Sequence, residues 1–160
     1  MGKNVFANGR EISAKKSGNK SIAAMPDVCL SPPSPPAGPI PIPYPNFSKS
    51  SDTSDGSKKV KIGGGEVGLK NNSCYKKSNG DEACTTSFGM GVVTHCKQGK
   101  TYHSAWSMDV KIEGKNVIRH LDMTTHNHRA KMPPNTACMT VDVGAMAPPA
   151  QVQECEELAN

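Results

Sequence analysis

The sequence predicts a small all-β fold built from repeated β-hairpins, and three observations indicate this. The eight residues at 60–67, VKIGGGEV, recur at 110–117 as VKIEGKNV, with five identical positions. Gly and Pro together supply 28 of the 160 residues, which favours turns and extended chain over helices. Hydrophobic residues make up only 35% and seven residues are aromatic, so the core is thin. A thin core requires support from a metal, a disulfide or a partner surface.

The repeat has a third, weaker copy at 5–12, VFANGREI. Each copy alternates apolar and polar residues and places a glycine at its fifth position, namely Gly9, Gly64 and Gly114. Glycine there supplies the positive φ of a tight hairpin turn. Because a single hairpin cannot bury a face of its own, three copies spaced 50 to 55 residues apart predict a pseudo-threefold unit.

Nine of the 13 prolines fall within residues 25–45. Proline fixes φ and has no backbone donor, so this segment is extended. One interpretation is a disordered linker or a ligand for a proline-recognition domain. The other is an ordered ribbon. The alternation of Ile40, Ile42 and Tyr44 with prolines favours a strand-like ribbon that lies on a surface.

The rest of the chain is predicted more coarsely. Residues 48–57 and 70–87 are polar and predict long loops. Residues 89–94 and 101–109 predict further strands, and residues 151–158 predict a short helix.

Charge and hydropathy exclude several classes of protein. The net charge of +5 is spread along the chain, with one cluster at Lys58, Lys59 and Lys61. A nucleic-acid binder has a denser basic stripe with stacking aromatics, so we expect a solvated surface and no nucleic-acid partner. No stretch approaches the roughly 20 apolar residues of a membrane span, so we expect no membrane anchor. The first residues lack the apolar region of a signal peptide.

The cysteines and histidines are the candidate metal ligands. The six cysteines include no C-x-x-C pair, which excludes a zinc ribbon and leaves free thiols, ligands or disulfides. His126 and His128 project to one face of a strand, and His120 lies at an even spacing from them. Imidazole and thiolate are the usual ligands of structural zinc, which takes four. Cys29 is the fourth candidate, because the residues before it resemble those before His126. The alternative is that these are surface histidines in a loop.

No catalytic motif is visible in the sequence. The nucleophile elbow, the Walker loop and H-E-x-x-H are all missing. Residues 126–128 spell HNH, but the nuclease signature of that name takes its residues from separate positions of a ββα unit. We therefore predict that the protein is not an enzyme. Two alternatives stay open: a metal-dependent nuclease or hydrolase toxin, which needs an open coordination position, and an effector-adaptor binding module.

Five segments together resemble the PAAR-like (Tox-PAAR-like) domain family. They are NVFANG at 4–9, PDVCLSPPSP at 26–35, GMGVVT at 89–94, WSMDV at 106–110 and RHLDMTTHNH at 119–128. The resemblance covers roughly residues 3–128 and keeps one order throughout. It implies a PAAR-like domain over residues 1–128 and a C-terminal tail or extension over 129–160.

The resemblance implies a structural role at the tip of a bacterial secretion spike. Members are small pseudo-threefold β cones that cap the trimeric VgrG spike of the type VI secretion system, sharpen it and deliver effectors. A protein of this kind is made in the bacterial cytoplasm and exported by that system to the outside or into target cells. Its partners are the VgrG trimer and an effector or toxin domain.

The resemblance also implies a structural zinc ion near the apex of the cone. Carried over by position, its ligands are Cys29, His120, His126 and His128, with His95 as a substitute. The repeated Pro-Ala-Ala-Arg itself is absent from this chain.

Overall fold

The computed structural model describes residues 4–24, 26–31, 38–84, 90–92 and 94–129, together with the backbone of residues 139–143. Within these residues the chain forms strands, turns and one short 3-10 helix, Ser50–Asp52. The predicted all-β fold is confirmed. The strands are β1 (Phe6–Ala7), β2 (Arg10–Glu11), β3 (Lys20–Ala23), β4 (Asp27–Ser31), β5 (Ile40–Tyr44), β6 (Phe47–Lys49), β7 (Thr53–Ser54), β8 (Lys61–Ile62), β9 (Gly65–Glu66), β10 (Cys74–Tyr75), β11 (Lys100–His103), β12 (Lys111–Ile112), β13 (Lys115–Asn116), β14 (Met123–His128) and β15 (Met139–Val143).

The three repeats form three antiparallel hairpins, β1–β2, β8–β9 and β12–β13. Each has a two-residue turn in which both residues adopt positive φ. That backbone defines a type I′ turn, whose twist matches that of the flanking strands. The turns and their φ angles are Asn8 (54°) and Gly9 (71°), Gly63 (59°) and Gly64 (77°), and Glu113 (52°) and Gly114 (76°).

The segments that follow the hairpins close into a ring. Ser13 donates its N–H to the carbonyl of Ile118 at 2.8 Å, Ile118 donates to Gly68 at 3.1 Å, and Gly68 donates back to Ser13 at 2.9 Å. The flanking residues repeat this cycle through three isolated bridges, Ile12–Arg119, Ala14–Val67 and Leu69–Val117. The predicted pseudo-threefold relation is therefore present in the backbone itself.

A small apolar core surrounds this ring. Its buried members are Ala7, Ile12, Val67, Leu69 and Val117. Three partly buried residues of the second and third hairpins pack against them, Ile62, Val110 and Ile112. The hairpins thus bury jointly the apolar faces that none of them could bury alone.

The second part of the fold is a seven-stranded antiparallel sheet with the order β6-β3-β15-β14-β11-β10-β7. Strands β3, β10 and β14 each continue from one of the three repeats. Strand β15, which comes from the segment predicted as tail, pairs with both β3 and β14. The domain boundary between residues 128 and 129 stays a prediction.

The proline-rich segment is ordered where it is described. β5 pairs antiparallel with β4, so that Cys29 lies opposite Ile42 and Leu30 opposite Pro41. The ribbon interpretation is confirmed for 40–44, while residues 32–37 lie outside the described part.

Other local predictions were less accurate. The predicted loops contain β7 and β10, and the strand predicted at 101–109 ends at His103. Of the strand predicted at 89–94, the described residues show only one bridge, between Gly91 and Cys29. The helix predicted at 151–158 lies outside the described residues.

In the described part of the chain, no helix has both the length and the apolar character needed to cross a bilayer.

Candidate functional site

A buried cluster of Asp27, Cys29 and Asp81 brings one ligand atom from each residue within 4.8 Å of the others. Asp27 and Cys29 are two apart on β4, whose residues alternate between buried and exposed, so both face inward. Asp81 comes from the loop after β10. Among the described residues, this is the grouping of histidine, cysteine and carboxylate side chains that could hold a metal ion.

Asn127 joins the two carboxylates of the cluster. Its Nδ2 donates to Oδ2 of Asp27 and, at 3.0 Å, to Oδ2 of Asp81. Its Oδ1 accepts from the N–H of Gly99 at 2.7 Å, which fixes the amide orientation. Thr94 adds a hydroxyl donor to Asp27 at 3.1 Å. The two acidic groups are therefore held in place by side chains distant in sequence.

Burial sets the protonation of the cluster. Desolvation raises the pKa of the Cys29 thiol far above its usual range, with help from a hydrogen bond to Cys84 and the charge of Asp27. Burial also raises the pKa of Asp81, although the N–H of Gln98 opposes this. The Cys84 thiol is shifted upward by burial as well. Cys29 is therefore a neutral thiol in the metal-free protein, and a bound cation would have to displace its proton.

The donor chemistry of the cluster fits zinc. Thiolate sulfur and carboxylate oxygen are both zinc ligands, and structural zinc takes four of them. Asp27, Cys29 and Asp81 provide three, and the Cys84 thiol, which hydrogen-bonds Cys29, lies beside them.

His126, a predicted ligand, lies in a different environment on β14. The side chain is 1% exposed, and its Nε2 is 2.8 Å from the Ser21 hydroxyl. Its Nδ1 is 3.1 Å from the Ser78 hydroxyl. Burial, and then the neighbouring His103 and His128, lower the pKa of His126 to about 4. It is a neutral imidazole within a cage of hydroxyl groups.

The other predicted histidines also lie outside the cluster. His128 contacts the Thr125 hydroxyl at 2.8 Å, and its ring meets the ring of Tyr102 edge-on. His120 donates its backbone N–H to the carbonyl of Glu11. The structure thus places Cys29 with two aspartates and not with the three histidines. The four-residue set Cys29, His120, His126 and His128 stays a prediction.

Sequence reasoning missed the two aspartates and Asn127. Asp27 could have been found, because it precedes Cys29 by two residues on a predicted strand and so shares its face. Asp81 gave no signal within a long polar segment. Asn127 was noticed only as the middle letter of the HNH string.

A comparison with known protein families identifies the family of this chain. The family model described as the Toxin PAAR-like domain matches residues 20–133, so the chain belongs to that family. The resemblance inferred from the sequence motifs is confirmed.

A particular relative is the "DNase toxin Tse7" of Pseudomonas aeruginosa. It is 50% identical over 152 residues, which cover 90% of this chain and 39% of that protein. The chain therefore spans about two fifths of the length of this relative. No solved structure matches the chain.

This relative corrects one prediction. We expected a protein that is not an enzyme, whereas the relative is named for a DNase activity, and that expectation is wrong. The same name weighs against the expected absence of a nucleic-acid partner. The error arose because a motif search tests only local patterns in 160 residues, and it cannot exclude an activity of a protein more than twice as long.

Proposed function

We propose that the protein is a toxin of the type VI secretion system, that its PAAR-like domain docks on the VgrG spike, and that its toxic activity is the cleavage of DNA. The family membership supports the spike-tip role, and the relative named a DNase toxin supports the activity. Export by the secretion system follows from the docking, since a cap on the spike leaves the cell with it.

The ring of backbone bonds through Ser13, Gly68 and Ile118 carries the docking proposal. A unit with pseudo-threefold backbone symmetry presents three related surfaces, which suits the end of a trimer. One chain per trimer follows from that match. Strand addition to exposed sheet edges is a common way for such surfaces to pair. The ribbon strand β5 is a candidate contact, because its Ile40 and Ile42 are 46% and 37% exposed.

The docking experiment mixes the purified protein with a VgrG trimer and measures the mass of the complex by light scattering. We expect one chain per trimer. The double variant Ile40→Asp/Ile42→Asp should weaken binding by about tenfold or more, since it places charges in an apolar contact. Met108→Asp, at a residue that is 89% exposed, is the matched control and should bind normally. The absence of any complex with the unaltered protein would refute the docking role.

The activity experiment incubates the purified protein with supercoiled plasmid in the presence of a divalent cation. We expect nicked and then linear DNA, and no cleavage after chelation, because hydrolysis of a phosphodiester commonly uses a metal-activated water. A heat-treated sample of the same preparation is the control. Plasmid that stays supercoiled at high protein concentration would count against DNA cleavage by these residues.

The proposal includes a structural zinc ion, held by Cys29, Asp27 and Asp81 with Cys84 beside them. Zinc would supply a cross-link between β4 and the loop that carries Asp81. The alternative set of zinc ligands is the predicted one, namely Cys29, His120, His126 and His128. Cys29 belongs to both sets, so it cannot distinguish them.

The metal experiment measures metal content by mass spectrometry in the wild type, Asp81→Asn and His126→Gln. We expect about one zinc per chain in the wild type. Loss in Asp81→Asn with retention in His126→Gln supports the aspartate cluster. The reverse result supports the histidine set, and a metal-free wild type refutes both.

A further inference from the structure

Basic residues that lie far apart in the sequence meet around one cleft of the structure. The cleft has a volume of about 740 Å³, and its basic side chains are Lys58, Lys100, Lys115 and Arg129. They come from the second repeat, from β11, from β13 and from the end of β14. The charge that is spread along the sequence is therefore locally concentrated by folding.

A second cleft of about 780 Å³ adjoins the first, and both are lined by Asp55 and Lys58. The second cleft adds three further basic side chains, Lys15, Lys16 and Lys61. We call the seven basic residues of the two clefts the basic track. They face three acidic residues in the two linings, so the clefts have a net positive charge.

Most of the positive charge in the basic track has no carboxylate partner. In the described part of the chain, Lys15 is the one member that forms an ion pair, with Glu66 at 3.0 Å. Lys115 donates instead to the neutral side-chain oxygen of Asn72 at 2.8 Å. Like charges gathered around a cleft repel each other, and a bound anion relieves that repulsion.

Two of the three acidic side chains in the linings are held by backbone donors. Glu113 accepts hydrogen bonds from three successive backbone N–H groups, those of residues 58–60. Glu66 accepts from the N–H of Gly56 at 3.0 Å in addition to its ion pair. Successive N–H groups that converge on one carboxylate form an anion-binding concavity. These donors partly offset the charge of the two carboxylates, which leaves the basic track available to another anion.

Tyr102 on β11 gives the first cleft an aromatic wall. Burial is the main reason why the pKa of Tyr102 is raised, so its hydroxyl keeps the proton and can donate to an anionic oxygen. Proteins bind a single nucleic-acid strand with this combination, in which cations follow the phosphates and aromatic rings stack on the bases.

We propose that the two clefts bind a single DNA strand, with its phosphates along the basic track and a base against Tyr102. Two adjoining clefts suit an extended polyanion, whereas one small anion would occupy only one of them. The choice of DNA rests on the proposed DNase function, while the charge and shape of the clefts do not. The role of the clefts is to bind the strand and not to cleave it.

The test measures the fluorescence anisotropy of a labelled oligodeoxythymidine mixed with the full chain. Phosphorothioate linkages keep the probe intact, so binding is measured without cleavage. We expect the affinity to fall as salt is added, with a slope of about −3 for log K against log salt concentration, since about four contacted phosphates contribute about −0.7 each. An unbound probe, or an affinity that does not depend on salt, would overturn the proposal.

Charge reversal locates the binding in the clefts. Lys100→Glu/Lys115→Glu should weaken binding by about tenfold or more and make the slope shallower by about 1.4, because two phosphate contacts are lost. Lys20→Glu/Lys77→Glu is the matched control, since both lysines are exposed, line neither cleft and give the same change in net charge. The control should weaken binding by no more than about twofold, because charges without a phosphate contact act only through a screened potential. Equal losses in both variants would overturn the proposal.

Competition identifies the class of ligand. An unlabelled single strand should displace the probe at a lower concentration than duplex DNA or polyglutamate of equal charge, because only the single strand offers bases for stacking. Equal displacement by polyglutamate would overturn the assignment to DNA in favour of an acidic peptide. The plasmid experiment fails separately: a bound probe with intact plasmid contradicts the proposed activity, whereas cleaved plasmid with an unbound probe contradicts the role of the clefts.

Discussion

At the scale of the single residue, His126 shows how burial changes the chemistry of a side chain. Its ring lies among the hydroxyls of Ser21, Ser48, Ser78 and Thr101, which provide hydrogen-bond partners for both ring nitrogens. Desolvation disfavours the charged imidazolium, so the pKa falls from 6.5 to about 4. The nearby His103 and His128 act in the same direction.

This shift predicts that the protein loses stability in mild acid. Unfolded His126 takes up its proton near pH 6.5, whereas the folded protein resists protonation until about pH 4. Between these values the unfolded state binds more protons, so the free energy of unfolding rises with pH. The stability that neutral His126 contributes is fully present above pH 6.5. It decreases by on the order of 3 kcal/mol as the pH drops toward 4. Urea unfolding at a series of pH values measures this slope.

Two variants control the acid prediction. His126→Gln should flatten the slope between pH 4 and 6.5, whatever its effect on stability at neutral pH. His95→Asn, at an exposed histidine, should keep it. A wild type whose unfolding free energy is constant over this range would contradict the lowered pKa of His126.

Residue identity also explains why the candidate metal-binding cluster was only half predictable. Cys29 was selected because the residues before it resemble those before His126, and it does lie in the cluster. Asn127 meets Asp27 and Asp81 across 100 and 46 residues of sequence. No local pattern links residues so far apart, so their meeting depends on how the strands pack.

At the scale of the element, the hairpins are the part of the fold that the sequence predicts best. A type I′ turn requires two residues with positive φ, and the glycines at the fifth repeat position satisfy that requirement. Glu113 adopts φ of 52° in the third hairpin, so the conformation is kept even where a non-glycine residue stands first. Its carboxylate accepts from the N–H groups of Lys58, Lys59 and Val60, which ties the third hairpin to the second repeat.

Substitution of one turn glycine tests the cost of this geometry. Gly114→Ala should reduce the free energy of unfolding by about 1–2 kcal/mol, because φ is +76° there although space for a methyl group is free. Chemical denaturation measures this change in the free energy of unfolding. Gly38→Ala is the matched control, since it also has free space but no positive φ, and it should cause no loss. Equal losses in both variants would contradict the turn assignment.

At the scale of the whole molecule, the ring through Ser13, Gly68 and Ile118 makes the three repeats one cooperative unit. Each repeat supplies one donor and one acceptor to the ring. The side chain of Ile118 is 0% exposed, and an atom added at Gly68 would meet it at 3.2 Å. Loosening one repeat therefore loosens the contacts of the other two.

The variant Ile118→Ala tests this cooperativity. It should cost about 2–5 kcal/mol, since it leaves a cavity where the repeats meet. Hydrogen exchange should speed up at the amides of Ser13 and Gly68 as well as at Ile118. Met108→Ala, at a residue that is 89% exposed, should change stability by no more than about 0.5 kcal/mol. Faster exchange restricted to the third repeat would mean that the repeats fold independently.

The sequence by itself determined the all-β class, the three hairpins and the family, because turn chemistry and motif order are local properties. The tertiary structure alone decided which groups meet. It placed Cys29 with Asp27 and Asp81, enclosed His126 in hydroxyls, and turned the apolar side of β3, β6 and β14 outward. The physical reason is that strands expose two faces, and only packing against other strands selects the one that is buried.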